Sequence, residues 1–341
     1  MSDKGKLAIG LDVGTMNLCC VRSDSPDKVQ LMRNVFLKLD KDEIDVSEMN
    51  DISYVNSGDN VYVIGEDAFR LSNIFGHPVS RPMEKGLISQ KELGAIDVLS
   101  IMIKHLIGDV SSFDPYCCYS IPSEAIDGGR SVTYHEKVFN RILSNLGVNN
   151  TPVNEAMAII YSECLNEKFS GVGISFGAGM ANFVMAFKGI EVIKFSTSRS
   201  GDWIDQNVSE SLGVVQNRVT GIKEKKFTLE NNLQDNDENN VKTKRVLEAL
   251  RYYYENMIEY TIKKFIKKFK EEVDTEIEES IPIIISGGTS LPPGFLELFK
   301  EQLNKYELPF KVSEVRRAKS PLHAVAQGML IKSSSDVKKL N

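Results

Sequence analysis

The sequence lacks a strong excess of charge of one sign, a long apolar run and a cysteine framework, and each shortage excludes something. Its 41 Lys and Arg against 47 Asp and Glu leave a net charge of −6. That removes the domain-wide basic footprint of a nucleic-acid-binding protein. No stretch approaches the roughly 18 apolar residues of a membrane-spanning helix. The segment Met1–Lys6 is polar and has no apolar core of a secretory signal, so the expectation is a soluble, cytoplasmic protein. The five cysteines, Cys19, Cys20, Cys117, Cys118 and Cys164, are odd in number and include two adjacent pairs. No Cys-x-x-Cys spacing occurs, so neither a disulfide framework nor a thiolate zinc site is expected, and the thiols read as small buried residues in a reducing compartment.

What is present is a globular balance, with 42% hydrophobic and 26% charged residues in 341. That length exceeds one ordinary core and predicts two domains or one bilobed unit. Lys6–Leu11 reads as a buried strand entering a Gly-containing turn, with Cys19–Arg22 beginning the return strand. Asp40–Asp51 is acidic and irregular, and Val61–Ile64 is a short strand. Leu93–Ile107 has helical apolar spacing at Ile96, Leu99, Ile103 and Leu106. Tyr116–Ile121 is a strand stopped by Pro122, and Val138–Leu146 a helix ended by Gly147. The pattern then restarts, with strands at Gly171–Ser175, Phe183–Phe187 and Glu191–Thr197. A repeated grammar of strand, Gly turn and strands points to a duplicated α/β fold rather than a solenoid. Lys223–Arg245 reads as a solvated loop or subdomain edge, and Lys332–Asn341 as a frayed tail. Arg245–Val273 reads as a long helix whose apolar stripe, Val246, Leu250, Tyr254, Ile258, Ile262, Phe265 and Phe269, packs into a core.

Four segments carry chemistry. Asp12-Val13-Gly14-Thr15-Met16-Asn17 follows a strand. Its Gly turn allows backbone N–H groups to face a phosphate, Thr15 and Asn17 add side-chain donors, and Asp12 suits a hydrated magnesium ion. Ser175-Phe176-Gly177-Ala178-Gly179-Met180 repeats the arrangement, and two such turns can pinch one polyphosphate. Ile285-Ser286-Gly287-Gly288-Thr289-Ser290 leads from a strand into a double Gly turn, which lets the backbone approach a flat ligand. Ser200-Gly201-Asp202-Trp203-Ile204-Asp205 reads as a helix start with Asp202 as its cap.

In order and content these segments resemble the superfamily of actins, sugar kinases and heat-shock chaperone ATPases across nearly the whole chain. Asp12–Asn17 looks like its first phosphate turn, Ser175–Gly179 like the second, and Gly287-Gly288-Thr289 like its adenosine turn. Asn154-Glu155-Ala156-Met157-Ala158 and Ala324-Val325-Ala326-Gln327-Gly328 look like the two connecting helices. Within the superfamily the resemblance runs to the MreB and MamK type of bacterial actin, through Gly65-Glu66-Asp67-Ala68, Arg81–Ile88 and Ile121-Pro122-Ser123. Ile222-Lys223-Glu224-Lys225 is similar to the segment that reaches the adenosine in actins. With nothing after the second connecting helix to serve as a peptide-binding domain, and no sugar-binding constellation, the chaperone and sugar-kinase branches fit less well.

The resemblance implies an α/β, duplicated actin-like (ribonuclease H-like) fold of two lobes around a nucleotide cleft. Lobe I is expected over 1–150 with a small subdomain near 33–75, and lobe II over 151–315 with one near 208–275. Residues 316–333 return to lobe I, and 334–341 form the tail. ATP or ADP with Mg2+ is the implied cofactor. Gly14, Thr15, Met16, Asn17, Ser175, Gly177, Ala178 and Gly179 would hold the phosphates. Gly201, Asp202, Lys223, Glu224, Gly287, Gly288 and Thr289 would hold the nucleoside side. Asp12 would organise the metal through water, and Glu155 would orient the hydrolytic water. Two departures stand out: Ser175 occupies a position where the superfamily has Asp, and Ala156 one where it has Pro. Phosphoryl transfer depends on positioning and charge compensation, so the lost carboxylate predicts slow hydrolysis with binding intact. The partners implied are further copies of the chain in a head-to-tail filament and an adaptor protein. Nucleic acid is not expected, nor is a membrane: the loop Gly108–Pro115 offers only Val110 and Phe113 as bulky apolar residues. The alternatives are a non-polymerising nucleotide switch that binds a protein partner, and a small-molecule phosphotransferase.

Overall fold

The structure, a computed structural model, describes residues 4–41, 52–57, 59–75, 77–92, 94–230, 241–273 and 277–339. Most of the acidic stretch, 42–51, and the middle of the expected solvated loop, 231–240, lie outside the described residues. Two compact units form. The first takes the described residues up to Ile121, then Ser131–Asn154 and the chain from Val325; the second takes Pro122–Arg130 and Glu155–Ala324.

The first unit is built on β1 (Gly5–Val13), β2 (Asn17–Arg22) and β3 (Gln30–Arg33). A smaller sheet follows, from β4 (Phe36–Asp40), β5 (Tyr54–Ser57) and β6 (Asn60–Ile64), with α1 (Glu66–Phe75) beside it. Leu37, Leu39, Val61, Val63, Ala68 and Leu71 make that subdomain's own core. The short pair β7 (Met83–Glu84) and β8 (Leu87–Ile88) precedes α2 (Ala95–Ile107), β9 (Phe113–Ile121), α3 (Val132–Asn145) and β10 (Asn149–Asn154). The main sheet runs β10-β9-β1-β2-β3. Leu7, Ala8, Ile9 and Leu11 of β1 are all buried, as a central strand covered on both faces requires. Helix α2 buries Val98, Leu99, Met102, Ile103 and Leu106, whereas Ile96, expected inside, lies in the first turn and is exposed. Helix α3 starts six residues before the expected Val138, because Ser131 caps it by accepting from the Thr133 N–H at 3.2 Å.

The second unit contains α4 (Glu155–Glu163), β11 (Gly171–Phe176), β12 (Ala181–Phe187), β13 (Ile190–Thr197), α5 (Gly201–Leu212), α6 (Gln216–Lys226), α7 (Val241–Glu272), β14 (Ile277–Ser286), a single 3-10 turn at Gly288–Ser290, α8 (Phe295–Leu303) and β15 (Phe310–Arg317). Its sheet runs β13-β12-β11-β14-β15. Strands β11 and β12 pair antiparallel, as β1 and β2 do, and β11 and β14 pair parallel, as β1 and β9 do. The duplication expected from the sequence is therefore a duplication of sheet topology. Every residue of the expected α7 stripe is buried. Two ends of the expected solvated loop are helical instead: Lys223–Lys226 close α6, and Val241–Arg245 open α7. Pro122–Arg130 joins this unit along the β13 edge. Ala125 bridges Ser196, and the Asp127 carboxylate accepts from the Ser198 N–H at 2.7 Å and the Tyr260 hydroxyl at 3.0 Å.

The described part of the expected tail is also helical, since α9 (Ala324–Lys339) runs through it. The reason is tertiary. Ser333 is fully buried, donates to the Tyr116 carbonyl at 2.8 Å and accepts from the Ile9 N–H at 3.3 Å. Gly10 of β1 lies directly beneath this helix, and a β-carbon there would stand 2.2 Å from the Ala326 carbonyl oxygen and 2.4 Å from the Leu330 nitrogen. Both are backbone atoms and cannot swing aside. Gly10→Ala is therefore expected to destabilise the protein by about 3 kcal/mol, the upper range for overpacking. Gly5→Ala, with nothing within 4 Å, should leave the urea midpoint unchanged.

Candidate functional site

In the first unit the chain leaves β1 through a tight turn in which the Gly14 N–H donates to the Asn17 carbonyl at 3.0 Å. The other carbonyls of the turn accept from residues outside it. Asn34 donates its side-chain amide to the Gly14 oxygen at 2.9 Å and its backbone N–H to the Met16 oxygen at 2.8 Å. Arg81 reaches the Thr15 oxygen at 3.4 Å. The Thr15 hydroxyl accepts from the Gly86 N–H at 3.0 Å. The N–H groups of Thr15 and Met16 have no backbone acceptor among the described residues. Hydrogen-bonded carbonyls beside two successive amides without a backbone acceptor are the donor inventory of a small anion nest.

Asp12 ends β1 just before this turn. One carboxylate oxygen accepts from the Ser120 hydroxyl at 2.9 Å, and the Ser120 oxygen accepts the Val13 N–H at 2.7 Å. Burial pushes the Asp12 carboxyl up to about 6, against the lowering effect of Ser120. Its second oxygen carries no hydrogen bond among the described residues. Those residues contain no group of three or more His, Cys, Asp or Glu side chains able to hold a metal. One carboxylate with one open oxygen fits magnesium held through water, provided that a ligand's phosphates supply further oxygens.

The second unit repeats the turn. The Gly177 N–H donates to the Met180 carbonyl at 3.0 Å, and the N–H groups of Ala178 and Gly179 have no backbone acceptor among the described residues. Ser175 stands where Asp12 stands, and its parallel-strand neighbour is Ser286, as Ser120 neighbours Asp12. Here the bracing comes from elsewhere. The Gly177 carbonyl accepts from the Ser200 hydroxyl at 2.5 Å, the Thr289 hydroxyl at 2.7 Å and the Gly201 N–H at 3.2 Å. The Asp202 N–H donates to the Ala178 carbonyl at 2.7 Å. Ser200, rather than Asp202, holds the N-cap position of α5, and Asp202 lies in its first turn. The positive end of the helix dipole therefore abuts the turn. Gly201 is required by proximity, since a β-carbon would stand 2.5 Å from the Thr289 hydroxyl. Gly287 has φ +88°, and a β-carbon there would lie 2.3 Å from the Phe176 carbonyl oxygen. At Gly288 the nearest atom would be Leu322 Cδ2 at 3.5 Å, so this face stays open.

Glu155, the first residue of α4, also belongs to the second unit, and its Oε2 accepts from the Asn182 side-chain amide at 2.8 Å. Asn182 lies opposite Ser175 on β12, is buried, and accepts from the Ser196 hydroxyl and the Ser123 N–H. Lys223 turns inward: its ammonium donates to Asp205 Oδ2 at 2.8 Å and to the Gly201 carbonyl at 3.3 Å. Glu224, next along α6, is exposed. Thus Ser175, Gly177, Ala178, Gly201, Asp202, Lys223, Gly287 and Thr289 fall within one connected network, with Gly179 and Gly288 on its backbone. Asp12, Gly14, Thr15, Met16 and Asn17 form a separate cluster in the first unit. Asn34, Ser120, Asn182, Ser200 and Asp205 complete these clusters, although no motif singled them out as site residues.

Two sheets of the same topology, each with a strand that ends in the same reciprocal turn, invite comparison with known folds. A family model described as Volactin matches residues 7–333. The chain belongs to the Volactin family. Among solved structures, a MamK double helical filament aligns with a TM-score of 0.73 at 16% identity, over 97% of this chain and 99% of that one. MreB 5 of Spiroplasma citri bound to AMPPNP aligns at 0.69 and 13%, over 98% of each chain. The ethanolamine utilization protein EutJ from Carboxydothermus hydrogenoformans aligns at 0.53 and 16%, over 95% of this chain and 89% of that one. A search of curated proteins finds no match. These likenesses establish the actin-like fold for this Volactin-family chain and bear out the resemblance to the MreB and MamK branch.

In this Volactin-family chain, Asn182 holds three partners at once, and truncating it strands them in a buried setting. Asn182→Ala is expected to cost about 2 kcal/mol, read from urea unfolding. Asn140→Ala, whose side-chain partner is exposed, should change the midpoint little.

Proposed function

We propose that this protein is an actin-like cytoskeletal ATPase that binds ATP with Mg2+ and assembles head to tail into filaments according to nucleotide state, with slow hydrolysis. The observation that carries this reading is the pair of turns whose carbonyls are hydrogen-bonded and whose amides at Thr15, Met16, Ala178 and Gly179 have no backbone acceptor among the described residues. The amides of each turn serve as donors to phosphate oxygens. Gly201, Gly287, Gly288 and Thr289 form the nucleoside side, joined by Glu224. Asp12 would hold magnesium through water, and the metal would supply charge compensation to the phosphates. Glu155, fixed by Asn182, orients water for attack on the terminal phosphate.

Ser175 sets the rate. A hydroxyl stands where a second carboxylate would complete the charge arrangement around the metal and the attacking water, and it supplies a hydrogen bond without the charge. Self-assembly is supported by the likeness to a MamK filament. A heterologous contact of this kind repeats without closing and so propagates into a strand.

The reading is tested by pelleting and negative-stain microscopy with ATP, ADP or no nucleotide, with phosphate release followed on the same samples. Filaments are expected with ATP, together with slow release. Ser175→Asp should raise release by roughly tenfold or more, about 1.4 kcal/mol in the barrier, and Asp12→Asn should weaken magnesium-dependent ATP binding. A chain that binds ATP yet stays particulate at all concentrations would make it a nucleotide switch instead. ADP formation only with an added small molecule would make it a phosphotransferase.

A further inference from the structure

The second unit contains a buried charge that no motif assigned to the site. Asp205 is 1% exposed, on the turn of α5 that follows Gly201 and Asp202. Its Oδ2 accepts from the Lys223 ammonium at 2.8 Å and the Thr220 hydroxyl at 2.7 Å. Its Oδ1 is buried without a partner among the described residues. Both donors come from α6, one turn apart on the same face. The Lys223 side chain is itself only 12% exposed, and its remaining contact is the Gly201 carbonyl at 3.3 Å. A buried carboxylate is costly unless paired, so the pair holds α6 against α5 strongly. Successive helical residues lie about 100° apart, so fixing Lys223 inward fixes Glu224 outward, as observed.

We infer that Asp205 is a positioning residue for the nucleoside side of the site, acting through Lys223 to hold α6 and Glu224 in place. Lys223 then serves by anchoring rather than by touching the nucleotide with its charge. This rests on the reading of the site as an ATP site. The phosphate side does not depend on the pair. The start of α5 stays on the phosphate turn through Gly201 N–H to the Gly177 carbonyl, Asp202 N–H to the Ala178 carbonyl and the Ser200 hydroxyl to the Gly177 carbonyl. Loss of Asp205 should therefore release α6 while leaving the turn's amides in place.

The experiment compares magnesium–ATP and magnesium–tripolyphosphate, which lacks the nucleoside, by calorimetry on the full chain. Asp205→Asn is expected to weaken ATP by about tenfold or more and to leave tripolyphosphate within about twofold. The paired variant Asp205→Asn with Lys223→Met should lose less than the sum of the single losses, because it strands no charge. Should Asp205→Asn fail to fold, Thr220→Val removes one donor only and is read in the same way, with a smaller loss of ATP alone. The inference is overturned if the folded variants bind ATP like the parent, or if tripolyphosphate falls as far as ATP, which marks a purely structural role. If the parent chain binds neither ligand, the nucleotide reading itself fails and the positioning role falls with it; a parent that binds both, with variants indifferent, removes only the positioning role.

Discussion

One carbonyl group organises the functional end of the second unit. The Gly177 oxygen accepts from Ser200, Thr289 and the Gly201 N–H. These donors come from the segment opening α5, the turn after β14 and the first residue of α5 itself. An oxygen so occupied ties two separate pieces of chain, the start of α5 and the turn after β14, to one point. The amides that follow, at Ala178 and Gly179, are then left as donors. Gly201 and Gly287 are needed because these approaches leave no space for a side chain.

The first unit reaches the same result by other means. Its turn has the same reciprocal bond, Gly14 to Asn17 in place of Gly177 to Met180. Its carbonyls, however, are held by Asn34 and Arg81 rather than by a helix start. A duplicated sheet has thus kept the geometry of the turn, while the elements that brace it differ. Successive amides without backbone acceptors suit an anion whichever donor holds the neighbouring carbonyls.

Electrostatically the two halves are unequal. Asp12 is a carboxylate raised by burial and steadied by Ser120. Its counterpart, Ser175, is neutral and buried. Of these two equivalent positions only the one in the first unit carries a carboxylate. Glu155 and Asn182 add a hydrogen-bonded carboxylate in the second unit.

The sequence by itself determined the strands that enter the turns, the long α7 stripe and the order of the motifs. Those features are local: an apolar run followed by glycine is legible wherever its partners lie. It was silent on Asn34 and Asn182 and gave Asp205 no role within its motif, because each acts on residues distant along the chain and looks like an ordinary polar position in isolation. It misplaced the start of α3 and read the end of the chain as frayed, since a helix of mixed composition such as α9 is decided by what it packs against, here Gly10 and the strands around Ser333. It placed Lys223 on a solvated segment or against the nucleoside, whereas the folded unit turns that ammonium onto Asp205. Backbone turns follow from short-range sterics and can be read from residues in a row. The partner of a buried charge is fixed only when helices from different parts of the chain come into contact, and that was decided by the tertiary structure.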